Sequence, residues 1–176
     1  MSVSSGDIMN RFYVDAETDG LYGSFLSVAA LVTDEDGNEM ERFYMSVDAD
    51  IKALSTPWLT TNILPHLSNA YERCDSEKAL LDAFWEFWLK HRENAICIAY
   101  VQYPVEARLF SRCVEKDRNA RAFLAPFPLY DLSTLLLARG YPFDADLPSL
   151  VNDEPLTEHD AMDDVLMMAK AWKKLS

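Results

Sequence analysis

Asp15 and Glu17 stand two residues apart at the end of the apolar run Phe12-Tyr13-Val14, shortly before Gly20. Residues i and i+2 of a strand project from one face, so a strand over 11–15 points both carboxylates the same way at its carboxyl end. Two anions held that close repel unless something positive lies between them. Hard divalent cations, Mg2+ or Mn2+, are the usual resolution because they prefer oxygen ligands. An acidic turn could carry the same D-x-E spacing by chance, so the rest of the chain must separate the two.

Around this strand the pattern reads as a three-stranded antiparallel meander over 11–47, with further strands at 24–33 and 39–47. Asp36-Gly37 between the last two is a strong hairpin pair. A helix follows over 57–67, with Pro57 suited to its first turn. Ala79, Leu80, Ala83, Phe84, Phe87 and Trp88 recur at helical spacing over 76–92, where Asp75 or Ser76 can cap. The run 95–101 is apolar on both faces, as in a buried parallel strand. Beyond it come a helix over 103–114, a short strand over 129–132, and a helical turn over 133–139 ended by Gly140. An irregular, proline-rich and acidic loop spans 141–155. The last helix runs from near Thr157 to Trp172, with Thr157 and Asp160 as a box-like cap.

The 176 residues suit one domain, 1–176, and with 49% apolar residues they can bury a core. The start, M-S-V-S-S-G-D, has neither the basic nor the apolar part of a secretory signal, and no apolar stretch reaches the length of a membrane span. Cys74, Cys97 and Cys113 are scattered and match no zinc spacing, the pattern of reduced thiols in a cytoplasmic protein. The formal charge of −13 argues against coating nucleic acid through clustered Lys and Arg. It is compatible with gripping a few phosphates through metal ions, since ligand carboxylates are part of that charge.

Three antiparallel strands followed by alternating helices and parallel strands resemble the ribonuclease H-like fold. The expected α/β architecture is a mixed five-stranded sheet, order 3-2-1-4-5, flanked by helices, with only the second strand antiparallel to the first. V-D-A-E-T-D-G-L (14–21) resembles the first motif of the DEDD superfamily of 3′–5′ exonucleases. His159-Asp160-Ala161-Met162-Asp163-Asp164 resembles its third motif in the histidine (DEDDh) form, H-x-A-x-x-D. The segment 57–67, P-W-L-T-T-N-I-L-P-H-L, resembles the small single-domain exoribonuclease-like members. By this match His159 is the general base and Asp164 a metal ligand beside Asp15 and Glu17.

Read without the family, His159 in a first helical turn would feel the positive helix end, which disfavours its imidazolium. Asp160 and Asp163 compete with Asp164 for the ligand role but are more simply helix N-terminal acids. The second motif departs from the pattern. Where the superfamily has N-x-x-F-D, residues 99–110 read A-Y-V-Q-Y-P-V-E-A-R-L-F, without an aspartate. Glu106 is the natural substitute, and its alternative role is that of an acid at a helix N-terminus. Arg108, Arg112 and Lys116 form a stripe at four-residue spacing, more simply a solvated face than a phosphate track. Trp58, Tyr103 and Tyr22 are candidates for stacking on a terminal base.

The resemblance implies two Mg2+ or Mn2+ ions held by Asp15, Glu17, Glu106 and Asp164. It further implies release of nucleoside 5′-monophosphates from the 3′ end of single-stranded RNA or DNA, RNA slightly favoured. The alternatives are a non-catalytic nucleic-acid-binding module that lost a ligand at 106, and a hydrolase of short oligonucleotides. No membrane partner is expected, and the apolar helix over 76–92 suggests surface for a homodimer.

Overall fold

The computed structural model describes residues 9–48, 54–142, 145–151 and 156–175; the N-terminal residues read for a leader, and part of the 141–155 segment, lie outside them. Strand β1 (Asn10–Thr18) alternates as the pleat requires, Phe12, Val14 and Ala16 facing one layer and Tyr13 the other. β2 (Phe25–Thr33) is buried along its whole length, and β3 (Glu39–Val47) only in its second half. The expected turn joins them. Gly37 takes φ +82°, and Asn38 N donates to Asp34 Oδ1 at 2.8 Å.

Helix α1 (Pro57–Asn62) is capped by Thr56, whose hydroxyl accepts from Leu59 N at 3.3 Å. It stops short of the expected 57–67. Pro65 has no N–H to donate back, so the chain breaks before it and resumes as a 3-10 turn, His66–Asn69. Strand β4 (Glu72–Cys74) then adds a sixth strand parallel to β3, correcting the expected five. Three largely exposed residues, E-R-C, carry no period that a sequence could reveal. Helix α2 (Glu77–His91) is capped by Ser76, one of the two expected candidates, and its Leu80, Leu81, Phe84, Trp85 and Trp88 are buried. Its exposed positions are Lys78, Glu86 and Lys90, so its outward face is charged.

Next come β5 (Ala95–Ala99), α3 (Val105–Glu115), α4 (Arg118–Arg121), β6 (Leu129–Asp131) and α5 (Leu132–Ala138). Gly140, φ +86°, ends the turn as expected. A short α6 (Leu147–Val151) lies in the segment read as irregular. Helix α7 (Ala161–Leu175) closes the described chain. The sheet order is β4-β3-β2-β1-β5-β6, the expected 3-2-1-4-5 with one short strand added outside β3. Only β2 runs against the rest.

Among the described residues two large clusters flank the sheet, and a smaller third gathers Leu26, Leu59, Ile63 and Leu67. Phe12, Val14, Phe84, Trp85, Trp88, Leu109 and Phe110 fill the side covered by α2 and α3. Tyr13, Ala29, Leu31, Ile98, Val165 and Met168 fill the side covered by α7. Each large side chain buried this way contributes about 1.5–3 kcal/mol. Trp88 also donates its indole N–H to Leu124 O at 2.8 Å, so its polar edge is satisfied. The basic stripe on α3 is spent on this packing. Arg108 lies 4.4 Å over the Phe25 ring, Arg112 pairs with Glu77 at 3.4 Å, and Lys116 pairs with Asp82.

Candidate active site

The site arises where β5 leaves β1. The two strands pair from Asn10↔Ala95 to Tyr13↔Ile98, and β5 ends at Ala99 while β1 continues to Thr18. In open α/β sheets such a crevice, beyond the carboxyl ends of parallel strands, is where ligands bind. The strand expected over 95–101 ends two residues early because Val101 turns into the left-handed region at φ +52°. A β-branched residue is strained there, and Asp131 Oδ1 accepts from Val101 N at 3.1 Å, supporting the elbow.

Asp15 and Glu17 emerge from β1 on the face that α7 covers, and Asp164 meets them from the first turn of that helix. Oxygens of these three carboxylates lie within 4.8 Å of one another. Glu106, in the first turn of α3, is 4% exposed and lines the same cavity of about 520 Å3, but it stands outside the close trio. The backbone amides of Glu106 itself and of Ala16 act to hold its carboxyl down. Of the two sequence readings of Glu106, the geometry satisfies parts of both: it is at a helix N-terminus, and it is turned inward.

Burial, and then the neighbouring carboxylates, raise the whole set. Asp15 is pushed well above the usual carboxylate range by burial, then by Asp164, Glu106 and Glu17. Glu17 is pushed up to about 8 by burial and by Asp164 and Glu106. Burial pushes Glu106 up to about 8 against the opposing pull of its two amide donors. Asp164 rises to about 7 by burial, although the amide of His159 holds it down. Lost hydration therefore outweighs the mutual repulsion anticipated from the spacing alone. A hard divalent cation answers both, so the donor set fits Mg2+ or Mn2+ in kind.

His159 lines the cavity but does not sit in a helical turn. The last helix, expected from near Thr157, begins at Ala161, and it runs past Trp172 to Leu175. T-E-H-D offers two capping side chains, and the buried one prevails. Asp160, 4% exposed, accepts from Met162 N at 3.0 Å and from Asn69 Nδ2 at 2.7 Å. Thr157 instead donates its own N–H to Asp163 Oδ2 at 2.9 Å. Both rival acids are thus engaged at the helix end. His159 takes φ +65°, its N–H donates to Asp164 Oδ2 at 3.1 Å, and its ring stands edge-on to Trp58 with centroids 4.9 Å apart.

Of the other aromatic candidates, Tyr103 lines the cavity, and Tyr22 is 68% exposed and raised by its neighbour Tyr103. Sequence reasoning missed Val101, Leu147 and Met168 in the wall, and Asp131 behind Val101. Asp131 could have been found as a strand-ending cap in L-Y-D-L-S-T, since it accepts from Ser133 N at 3.0 Å. Nothing in the local sequence marks Val101.

No protein-family model and no curated protein matches the chain. Solved structures do share its fold. A zinc-bound E. coli exonuclease I complex with single-stranded DNA matches with TM-score 0.71 at 18% identity, covering 96% of this chain and 40% of that one. E. coli exonuclease I with a dT13 oligonucleotide gives 0.68 at 15% identity, covering 95% and 41%. A moderately thermophilic exonuclease I from Methylocaldum szegediense gives 0.63 at 15%, covering 94% and 40%. The chain therefore spans about two fifths of the length of these neighbours.

Proposed function

We propose that this chain is a divalent-metal-dependent 3′–5′ exonuclease of the DEDD superfamily, histidine subgroup, acting on single-stranded nucleic acid. The observation that carries the reading is the convergence of Asp15, Glu17 and Asp164 within 4.8 Å at the carboxyl end of a central strand, with His159 on the same cavity. The shared fold of exonuclease I supports it, two of the matched structures holding single-stranded DNA.

In this reading Asp15, Glu17 and Asp164, together with Glu106, would hold two Mg2+ or Mn2+ ions. Such ions would supply an acidified attacking water and neutralisation of charge developing on the phosphate and the leaving oxygen. His159 takes the proton of that water on a ring nitrogen. Asp164 fixes the His159 backbone through the 3.1 Å bond, and Trp58 restricts its ring. The bond broken is the one linking the last nucleotide's phosphorus to the neighbouring 3′-oxygen, so the product is a nucleoside 5′-monophosphate. RNA is proposed as the slightly favoured strand, on the resemblance of residues 57–67 to exoribonuclease-like members.

A 5′-labelled strand incubated with Mn2+ tests this directly. A ladder shortening from the 3′ end, with 5′-monophosphates as co-products, is expected, and matched RNA and DNA strands measure the preference. Internal fragments, or nucleoside 3′-monophosphates, would contradict the proposed bond and direction.

A further inference from the structure

A second cavity, of about 370 Å3, shares the 101–107 segment with the first, yet no residue lines both. Val101 and Tyr103 line the carboxylate cavity, whereas Gln102 between them lines the second. At the start of α3, Glu106 and Ala107 divide in the same way. Phe110 and Val114 of α3, with Pro126 and Leu129, give the second space an apolar lining. Gln102, Glu115 and Arg118 supply its polar part, and among the described residues none of these three side chains makes a hydrogen bond or an ion pair. Glu115 and Arg118 are exposed, opposite in sign and three residues apart, as are Glu39 and Arg42, which do pair. The helix breaks between them at Asp117, whose carboxylate caps α4 by accepting from Ala120 N at 3.1 Å.

Each part of this lining matches one part of a mononucleotide. An apolar slot takes a flat base, and a glutamine amide offers the adenine edge one donor and one acceptor at once. A carboxylate accepts from ribose hydroxyls, and a guanidinium forks onto a phosphate. From Ala107 to Glu115, α3 rises about 12 Å, the reach from a base edge to its 5′-phosphate. The volume falls within the range of small-molecule pockets, about 300–1,000 Å3. We propose that this cavity is a second nucleotide site, taking an adenine ribonucleoside 5′-monophosphate with its base on Gln102, its sugar on Glu115 and its phosphate on Arg118. The binding stands on this cavity alone; only the source of the ligand, as a product released at the carboxylate site, rests on the nuclease reading.

The experiment titrates AMP, dAMP and inorganic phosphate into the full chain in EDTA by calorimetry, a condition in which the carboxylate cavity has no cation to hold a phosphate. The proposal expects one AMP per chain, bound at least about tenfold more tightly than either inorganic phosphate or dAMP. Arg118→Ala, at an exposed position, should weaken AMP at least about tenfold. Glu115→Ala, also exposed, should remove the preference for AMP over dAMP. Leu21→Ala, in the lining of the carboxylate cavity, should leave the titration unchanged. No saturable binding up to about 1 mM AMP, undiminished binding in Arg118→Ala, or binding lost in Leu21→Ala overturns the second site. AMP bound no more tightly than inorganic phosphate, or a ribose preference that persists in Glu115→Ala, overturns the assigned ligand. None of these results touches the nuclease reading, which mononucleotide release in Mn2+ decides separately.

Discussion

Asp15, Glu17 and Asp164 crowd their oxygens into a 4.8 Å group whose members all ionise late, so removing one charge should relieve the fold while disabling the proposed chemistry. Asp15→Asn should abolish hydrolysis and leave the metal-free Tm unchanged or higher, by a thermal melt beside an activity assay. Glu106→Gln should behave similarly. It removes a carboxyl raised to about 8 by burial, so Tm is expected to rise by roughly 2–4 °C, the equivalent of about 1 kcal/mol at this size, as the rate falls strongly. A lowered Tm with an unchanged rate would return Glu106 to the role of a helix-end acid. Val101→Asn places at φ +52° a residue that tolerates it, so Tm should hold or rise, and a clear fall would deny the strain. The carboxylates were legible in the sequence because strand alternation and the D-x-E spacing are local. The elbow at Val101 was not, because its support comes from Asp131, thirty residues on, across the sheet.

Elements were legible wherever one short-range rule decided them. The Ser76 cap, the Asp36-Gly37 turn and the Gly140 stop all appear as read. Boundaries failed where two rules competed. Pro65 cut the helix expected over 57–67, and the T-E-H-D start of α7 was decided by Asn69, a partner ninety-one residues away from Asp160. That tie makes a specific expectation. Asp160→Ala removes a cap and leaves Asn69 unpaired, and should cost about 2–3 kcal/mol in denaturant melts. Asp163→Ala, which loses only the bond from the exposed Thr157, should cost less than about 1 kcal/mol. Equal costs would mean that Asp160 does not anchor the His159 segment.

For the whole molecule, the raised carboxyls set how stability depends on pH. In the unfolded chain they ionise near pH 4, whereas folded Asp164 does so at about 7 and Glu17 and Glu106 at about 8. The folded state holds more protons between those limits, so their contribution is full below about pH 4 and is lost as pH rises through 7–8. Metal binding expels these protons, so Mn2+ should raise Tm most above about pH 7. A metal-free Tm that climbs over this range would contradict the burial of these groups. The order of five strands was legible from the alternation of elements. The edge strand β4 was not, being too short to carry a period. The most direct test of the account is the rate of mononucleotide release from a 3′ end by one preparation in Mn2+, in EDTA, and in Mn2+ restored, beside Asp15→Asn. The account predicts activity that disappears and returns with the metal, and a variant slower by at least about 100-fold, the scale of losing one stabilising group in a charged transition state. Undiminished release in EDTA, or by Asp15→Asn, would contradict it.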